Sequence, residues 1–426
     1  MIHTNTPKGF FGLLGSIMLL ISQSLLAGGP EWIPEGLLPG ARTTGPLLCQ
    51  RDYLTPGEAE AVQAAALQAF PNAAAWNAFS GHLKLRIQEQ MGLSPLPEKT
   101  PLRTILHSRR EHDGYAVSNI AMETLPGYWL TGNLYAPVGM EAPFPAILHP
   151  HGHSVDPDGE HGWAHHGRFK AEVQLRAAAL ARRGAVCLTV DMFGYGDQRE
   201  LLGEHAHRAP LAMRIQLWNN IRAIDYLASL PEVDPTRLGV TGHSGGATQA
   251  IFLSALDARI SVSVPVAMVS SWFFGGCPCE SGLPIHRSET HFANNAMIAS
   301  LTAPRRLLLI SVGGDWTRLT PTLEFPFIEE AYARSNAKGK VSHWHLPEEG
   351  HNYGVSKRHV LYPYLARVLK LDLFRICNRE GAIDESILTI ENPARMRVFD
   401  VDHPVPDHAL RSPSSVADTL ASLQPS

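Results

Sequence analysis

Apolar positions along the chain change period several times, and each change marks an element. From Pro56 to about Met91 they recur at helical spacing (GEAEAVQAAALQAF, then WNAFSGHLKLRIQEQM), which predicts two helices. Tyr115–Glu123 and Tyr128–Ala136 read as strands joined by the turn signal Leu125-Pro126-Gly127. Strands and helices then alternate. Strands are expected at Pro145–His149, Ala185–Val190, Leu238–Thr241, Ile260–Val266, Arg306–Val312 and Val341–Leu346. Helices are expected at Phe169–Arg183, Leu211–Leu230, Ala247–Leu256, Glu324–Ala337 and Lys357–Leu369. Such alternation predicts an α/β fold: a mainly parallel sheet with helices on both faces, its first two strands antiparallel at one edge. The reading divides the chain into an N-terminal helical extension (28–108), a main domain (109–374) and a C-terminal tail (375–426). In the tail, ILTIENPARMRVF is expected to add a hairpin or edge strand. The Ser/Pro-rich end from Ser412 is expected to be disordered.

The first 27 residues read differently. Lys8 precedes an apolar run from Phe10 to Leu26, and Ala27-Gly28-Gly29 supplies small residues for cleavage. This is the pattern of a signal peptide, so a secreted or periplasmic protein is expected. The run is short for a spanning helix and no stop-transfer charges follow, so no stable membrane insertion is expected. At 426 residues, 44% hydrophobic, the chain is long enough for one large core with extensions. A net charge of −4 gives no reason to expect a nucleic-acid partner. Five cysteines in an exported chain leave at least one thiol unpaired. Cys187, in the apolar strand AVCLTVD, suits a small core residue. Cys277 or Cys279 is expected to pair with Cys49 or Cys377, without a choice among these.

The chemistry concentrates after the strand RLGVT. Gly242-His243-Ser244-Gly245-Gly246 fits G-x-S-x-G, and the small-residue helix GATQAIFLSAL follows. A strand–turn–helix of this kind lifts a serine Oγ above the sheet. Serine is a poor nucleophile without a base. His351, in Glu349-Gly350-His351-Asn352-Tyr353 just after the last strand, is the candidate base. His343 and His345 lie inside that strand, and alternation across its faces suits them to packing. Asp315, in Gly313-Gly314-Asp315-Trp316-Thr317, is the candidate acid that orients the imidazole. Its competing role is a helix N-cap, and the alternative acid is Glu280. The oxyanion donors expected are the backbone N–H groups of Gly245 and His153, the latter in the loop His149-Pro150-His151-Gly152-His153.

These motifs, in this order, resemble the bacterial acetyl xylan esterase and dienelactone hydrolase branch of the α/β-hydrolases. The resemblance covers roughly residues 110–372. It runs through Leu125-Pro126-Gly127, Asn133-Leu134-Tyr135-Ala136-Pro137, the HPHGH loop, Asp191-Met192-Phe193-Gly194-Tyr195-Gly196-Asp197, GHSGG, GGDWT and GHNY. It implies an α/β-hydrolase fold and an esterase for small acyl groups, often acetyl groups on carbohydrates, with a small-molecule or carbohydrate ester as partner. Two features depart from the pattern. The lipase-type HGGG is absent, and Cys277-Pro278-Cys279-Glu280 is inserted where it could reshape the acyl pocket or supply the acid, as in glucuronoyl-esterase-like relatives.

Other readings are weaker. His149, His151, His153, His161, His165 and His166 lie close together, with Asp156, Asp158 and Glu160 between them. Such a set suits divalent metals, but H-E-x-x-H is absent and His153 already has a role. A polar loop at the site's mouth is therefore expected, with no metal and no cofactor. A prolyl-oligopeptidase-like enzyme shares the triad order but carries a large propeller, for which about 80 residues are too few. A non-catalytic binding protein would not need all three triad members. Oligomeric state is not legible here.

Overall fold

The structure is a computed structural model that describes residues 54–153, 166–203, 205–281, 285–287 and 291–425. The predicted signal segment, Cys49, and His161 and His165 with the carboxylates near them lie outside the described residues.

Two helices open the described chain, α1 (Pro56–Ala69) and α2 (Ala73–Gln90). Thr55 caps α1 in a reciprocal capping box with Glu58, and Asn72 caps α2 through Ala75 N–H. Three strands follow: β1 (Thr104–His112), β2 (Tyr115–Leu125) and β3 (Tyr128–Pro137). The domain boundary drawn from sequence at 108/109 therefore falls inside a strand. The alternating part then runs β4 (Phe144–Pro150), α3 (Ala171–Arg182), β5 (Val186–Val190), α4 (Gln198–Leu202), α5 (Ala212–Ser229), β6 (Val233–His243) and α6 (Gly245–Leu256). It continues with β7 (Ile260–Val266), α7 (Asn295–Ser300), β8 (Arg306–Val312), α8 (Glu324–Arg334), β9 (Val341–Leu346) and α9 (Val355–Leu369).

The strands form one nine-stranded sheet in the order β1-β2-β3-β5-β4-β6-β7-β8-β9. β1, β2, β3 and β5 pair antiparallel in turn, while every pair from β5–β4 to β8–β9 is parallel. The antiparallel edge thus has one strand more than the alternation of apolar residues suggested. β1 was missed because it is Arg- and His-rich (TILHSRREH) and only half-buried. Each face of the sheet carries its own core, one with Trp218, Ile224 and Phe252 and one with Ala178, Val264 and Leu365. The N-terminal helices pack onto the domain through Trp76, whose ring meets Phe327 of α8 at 5.9 Å.

The tail departs from both expectations. No strand forms in 387–399, which holds only a short helix, α10 (Pro393–Met396). Its carbonyls are satisfied by side chains instead of a ladder. Asn119 Nδ2 donates to Arg395 O and Arg397 O at 2.9 and 2.7 Å, and Asn133 Nδ2 donates to Met396 O at 3.0 Å. Side-chain donors of this kind supply what strand pairing would otherwise have to. The end is not disordered either. α11 (Pro413–Ser422) starts at the N-cap Ser412 and buries Val416 and Leu420. The Ser/Pro composition that reads as disorder is a helix start, with Ser at the cap and Pro at the first helical position.

Arg168 ties tail, loop and sheet together. Its fully buried guanidinium donates to Asn133 Oδ1 (2.8 Å), Asp197 Oδ2 (2.6 Å), Met396 O (3.1 Å) and Asp191. Burial opposes its charge, but the Asp191 and Asp197 carboxylates more than offset that and hold its pKa above the usual value.

If the tail helix is part of the core, Leu420→Ala should cost on the order of 2–4 kcal/mol, as buried Leu truncations do. Urea unfolding measures it. A loss under about 0.5 kcal/mol, the surface-substitution range, would mean that the helix does not dock.

Candidate active site

The site stands at the carboxyl ends of β4, β6, β8 and β9. Ser244 joins β6 to α6 with φ 55° and ψ −123°, a conformation that costs a non-glycine residue about 1–3 kcal/mol. The neighbouring backbones explain the glycines around it. A Cβ at Gly242 would lie 2.3 Å from Gly246 C and O, and one at Gly246 would lie 2.3 Å from Pro150 O. The ends of β4 and β6 and the start of α6 therefore touch backbone to backbone. Ser244 O accepts from Ala247 N and Thr248 N, at 2.8 and 2.9 Å. The N–H of Gly245 lies ahead of these, in the first turn, where no carbonyl of its own helix can reach it.

The second oxyanion candidate, His153, lies in the loop after β4. That loop passes directly over the nucleophile: a Cβ on Gly152 would lie 2.9 Å from Ser244 Cβ. His151 anchors it. Its Nδ1 bonds Gly152 O at 2.8 Å, and Met192 N–H donates to its Nε2 at 3.1 Å. Both contacts suit one neutral tautomer, and burial drives the His151 pKa well down. His149 is also fully buried and kept neutral by desolvation, and Arg176 Nε donates to its Nδ1 at 3.2 Å. His166 stacks on Tyr195 at 4.8 Å. Of the described members of the histidine cluster, His151, His153 and His166 all border the Tyr195 ring, at 5.4, 6.2 and 4.8 Å, while His149 lies against Arg176.

Asp315 and His351 meet. Asp315 Oδ2 is 2.7 Å from His351 Nδ1. The other oxygen, Oδ1, accepts from Thr317 N–H and Thr317 Oγ1, both at 2.6 Å, and caps the 3-10 turn Trp316–Leu319. Imidazole partner and helix cap, competing roles from sequence, are divided between the two oxygens of one carboxylate. Trp316 lies against the His351 ring at 4.5 Å and against Phe273 at 4.2 Å, giving that side of the site an aromatic wall. His243, next to Ser244, packs its ring 4.4 Å from His351. The Ser244 hydroxyl itself donates to Glu280 Oε1 at 3.5 Å, and no hydrogen bond joins it to His351 in this conformation. Catalytic hydrogen bonds are often loose before substrate binds.

Glu280, the alternative acid, is buried beside the nucleophile and does not bond the base. Its Oε1 faces His153 Nδ1 at 3.0 Å, and its Oε2 accepts from Gly276 N–H at 2.7 Å. Burial alone would raise its pKa, but the His153 imidazole and the Gly276 N–H hold it below the ordinary value. For His153 burial opposes the charge, and the Glu280 carboxylate overrides it to raise the pKa.

Two further expectations need correction. Cys277 and Cys279 are joined to each other rather than to Cys49 or Cys377, with Cα atoms 5.4 Å apart. Cys377 is free, as is buried Cys187. His343 and His345 do not alternate across β9. They are two residues apart, share a face, and both reach Ser311 Oγ at 2.7 Å. Burial lowers both pKa values, that of His343 to about 4. Sequence reading did not find the Ser244–Glu280–His153 contacts, because they join the loop after β4, the turn after β6 and the segment after β7. The one signal was the unusual Cys-Pro-Cys-Glu run.

Comparison with known proteins agrees with this architecture. The acetyl xylan esterase (AXE1) family profile matches residues 106–272. A solved methylesterase, BT1017, is 35% identical over 90% of this chain and 85% of its own, with a TM-score of 0.77. A glucuronoyl esterase from Solibacter usitatus is 18% identical over 70% of this chain and 93% of its own, with a TM-score of 0.51, a likeness of fold. A Bacillus subtilis (strain 168) protein provisionally named hydrolase YtaP is 26% identical over 182 residues, or 40% of this chain. The chain spans 59% of the length of that curated relative.

The geometry assigns unequal weight to the two carboxylates. Asp315→Asn should lower kcat by on the order of 10⁴-fold, because Asn favours the wrong tautomer of the base. Glu280→Gln should cost much less. Steady-state kinetics on p-nitrophenyl acetate compare the two, and a larger loss in Glu280→Gln would move the acid to Glu280.

Proposed function

The chain belongs to one family with the methylesterase that is 35% identical over 90% of it, and it carries an acetyl xylan esterase match over residues 106–272; from that premise we propose a serine carboxylesterase for short acyl esters on carbohydrates. The observation that carries the reading is the 2.7 Å contact of Asp315 with His351, at the sheet edge where Ser244 stands at positive φ. In the proposed reaction Ser244 Oγ attacks the ester carbonyl while His351 takes its proton. Asp315 keeps Nδ1 protonated and leaves Nε2 to act as the base. The developing oxyanion is met by the N–H of Gly245 and that of His153. The tetrahedral intermediate collapses, His351 returns the proton to the leaving alcohol, and an acyl-Ser244 ester remains. Water then repeats the sequence and frees the acid.

A short acyl group fits what adjoins the base. Trp272, Phe273 and Phe274 are buried, and Phe273 packs against Trp316, which in turn lies against His351. A long chain gains roughly 0.8 kcal/mol per CH₂ only where a groove accepts it. The N-terminal 27 residues read as a signal peptide, and that pattern supports a substrate outside the cytoplasm. A second reading has a specific ground: the relative sharing 35% identity over 90% of the chain is a methylesterase. In that case the carbohydrate carries the acyl group and methanol leaves.

Ser244→Ala should keep its fold and lose activity by on the order of 10³-fold or more. A phosphonate probe should label Ser244 in the wild type. Rates on p-nitrophenyl esters should fall from acetate to octanoate, and a rise would indicate a lipase-like groove. Acetylated xylan against methyl glucuronate distinguishes acetyl from methyl ester as the substrate.

A further inference from the structure

A second group of reactive side chains lies beside the proposed triad and has no part in its chemistry. His153 Nε2 is 3.1 Å from Cys277 Sγ and 3.0 Å from Cys279 Sγ. Each of the three residues offers one ligand atom, and these atoms lie within 4.8 Å of one another. The sulfurs come from one three-residue segment after β7 and the imidazole from the loop after β4. The second ring nitrogen is already committed, since Nδ1 faces Glu280 Oε1 at 3.0 Å. The far oxygen of that carboxylate is in turn fixed by Gly276 N–H at 2.7 Å. A carboxylate behind one imidazole nitrogen is how proteins orient a ligating histidine and raise its basicity. It turns Nε2 toward the two sulfurs.

We propose that His153, Cys277 and Cys279 form a binding site for one zinc-class divalent cation, with Glu280 orienting the imidazole. The donor set decides the ion: thiolate and imidazole favour zinc over magnesium or calcium, which take oxygen ligands. The disulfide between Cys277 and Cys279 is the oxidised, metal-free form of the same site. A thiol reductant supplies two electrons and two protons to the S–S bond and yields two thiols. Binding M²⁺ then releases those two protons, and the two thiolates balance the ion's charge. With Cα atoms 5.4 Å apart, rotation about the side-chain bonds parts the sulfurs without moving the backbone far. Two sulfurs and one nitrogen fill three tetrahedral positions and leave a fourth for water or a substrate oxygen.

The site adjoins the nucleophile through one carboxylate, because Glu280 Oε1 is also 3.5 Å from Ser244 Oγ. A buried negative charge there opposes an oxyanion forming on the substrate. A cation on the far side of His153 offsets it. The sequence motifs led to the opposite expectation, of chemistry with no metal.

The test uses the full protein, reduced with a phosphine, incubated with zinc chloride and desalted. Wild type and Cys377→Ser should each hold about one equivalent of zinc by plasma mass spectrometry, with a raised Tm. Cys277→Ser/Cys279→Ser and His153→Ala should hold at least ten-fold less. Zinc should also shield Cys277 and Cys279 from alkylation in the folded wild type, read by peptide mass spectrometry, which decides the matter even if the variants misfold. Wild type holding no more zinc than the double variant would overturn the proposal. So would equal alkylation with and without zinc, or a disulfide that persists in the reduced, folded protein.

Discussion

Three backbones in contact at one end of the sheet set the position of nearly everything else in the site. The end of β4, the end of β6 and the first turn of α6 approach so closely that Gly242 and Gly246 have no room for a side chain. That approach forces the chain through Ser244 at positive φ and raises its hydroxyl above the sheet. It also brings the loop after β4 across the nucleophile, which carries His151, Gly152 and His153 into place. A bulkier residue at either glycine would separate strand from helix and with them Ser244 from the candidate oxyanion donors.

The loop on the other side is held by charge. Arg168, Asp191 and Asp197 are buried together, with Asn133 and the Met396 carbonyl completing the guanidinium's partners. Removing one member of such a cluster leaves a buried charge uncompensated, at a cost of roughly 3–5 kcal/mol. The clasp explains why the segment from Asp191 to Asp197 keeps its shape without strand pairing. It also explains why a tail with no sheet partner is ordered: Val398 N–H and Phe399 N–H donate to the same Asp197, at 3.2 and 3.3 Å.

The parts of the site that lie in continuous motifs were legible. Ser244 was read as the candidate nucleophile from a strand, a turn of small residues and a helix, and it does stand at positive φ between β6 and α6. His351 and Asp315 were picked as candidates because each follows a strand of the parallel sheet and such loops gather at one edge, and the two side chains do meet there. The strands themselves were found where apolar residues run unbroken. β1 was not, because a half-buried antiparallel edge strand rich in Arg and His carries no strong period. The tail misled for a related reason: Ser and Pro mark both disorder and a capped helix start, and only burial of Val416 and Leu420 separates the two.

The sequence by itself determined the order of the sheet-forming segments and the strand–turn–helix at Ser244. Each rests on neighbours in the chain, so local pattern suffices. Tertiary structure alone decided which carboxylate contacts His351, since Asp315 and Glu280 both follow strands and differ only in what they face. It likewise decided that Cys277 pairs with Cys279 and that both sulfurs meet His153. Those contacts join a loop after β4 to one after β7. Their distance is set by the parallel packing of β4, β6 and β7 between them, and no spacing along the chain encodes it.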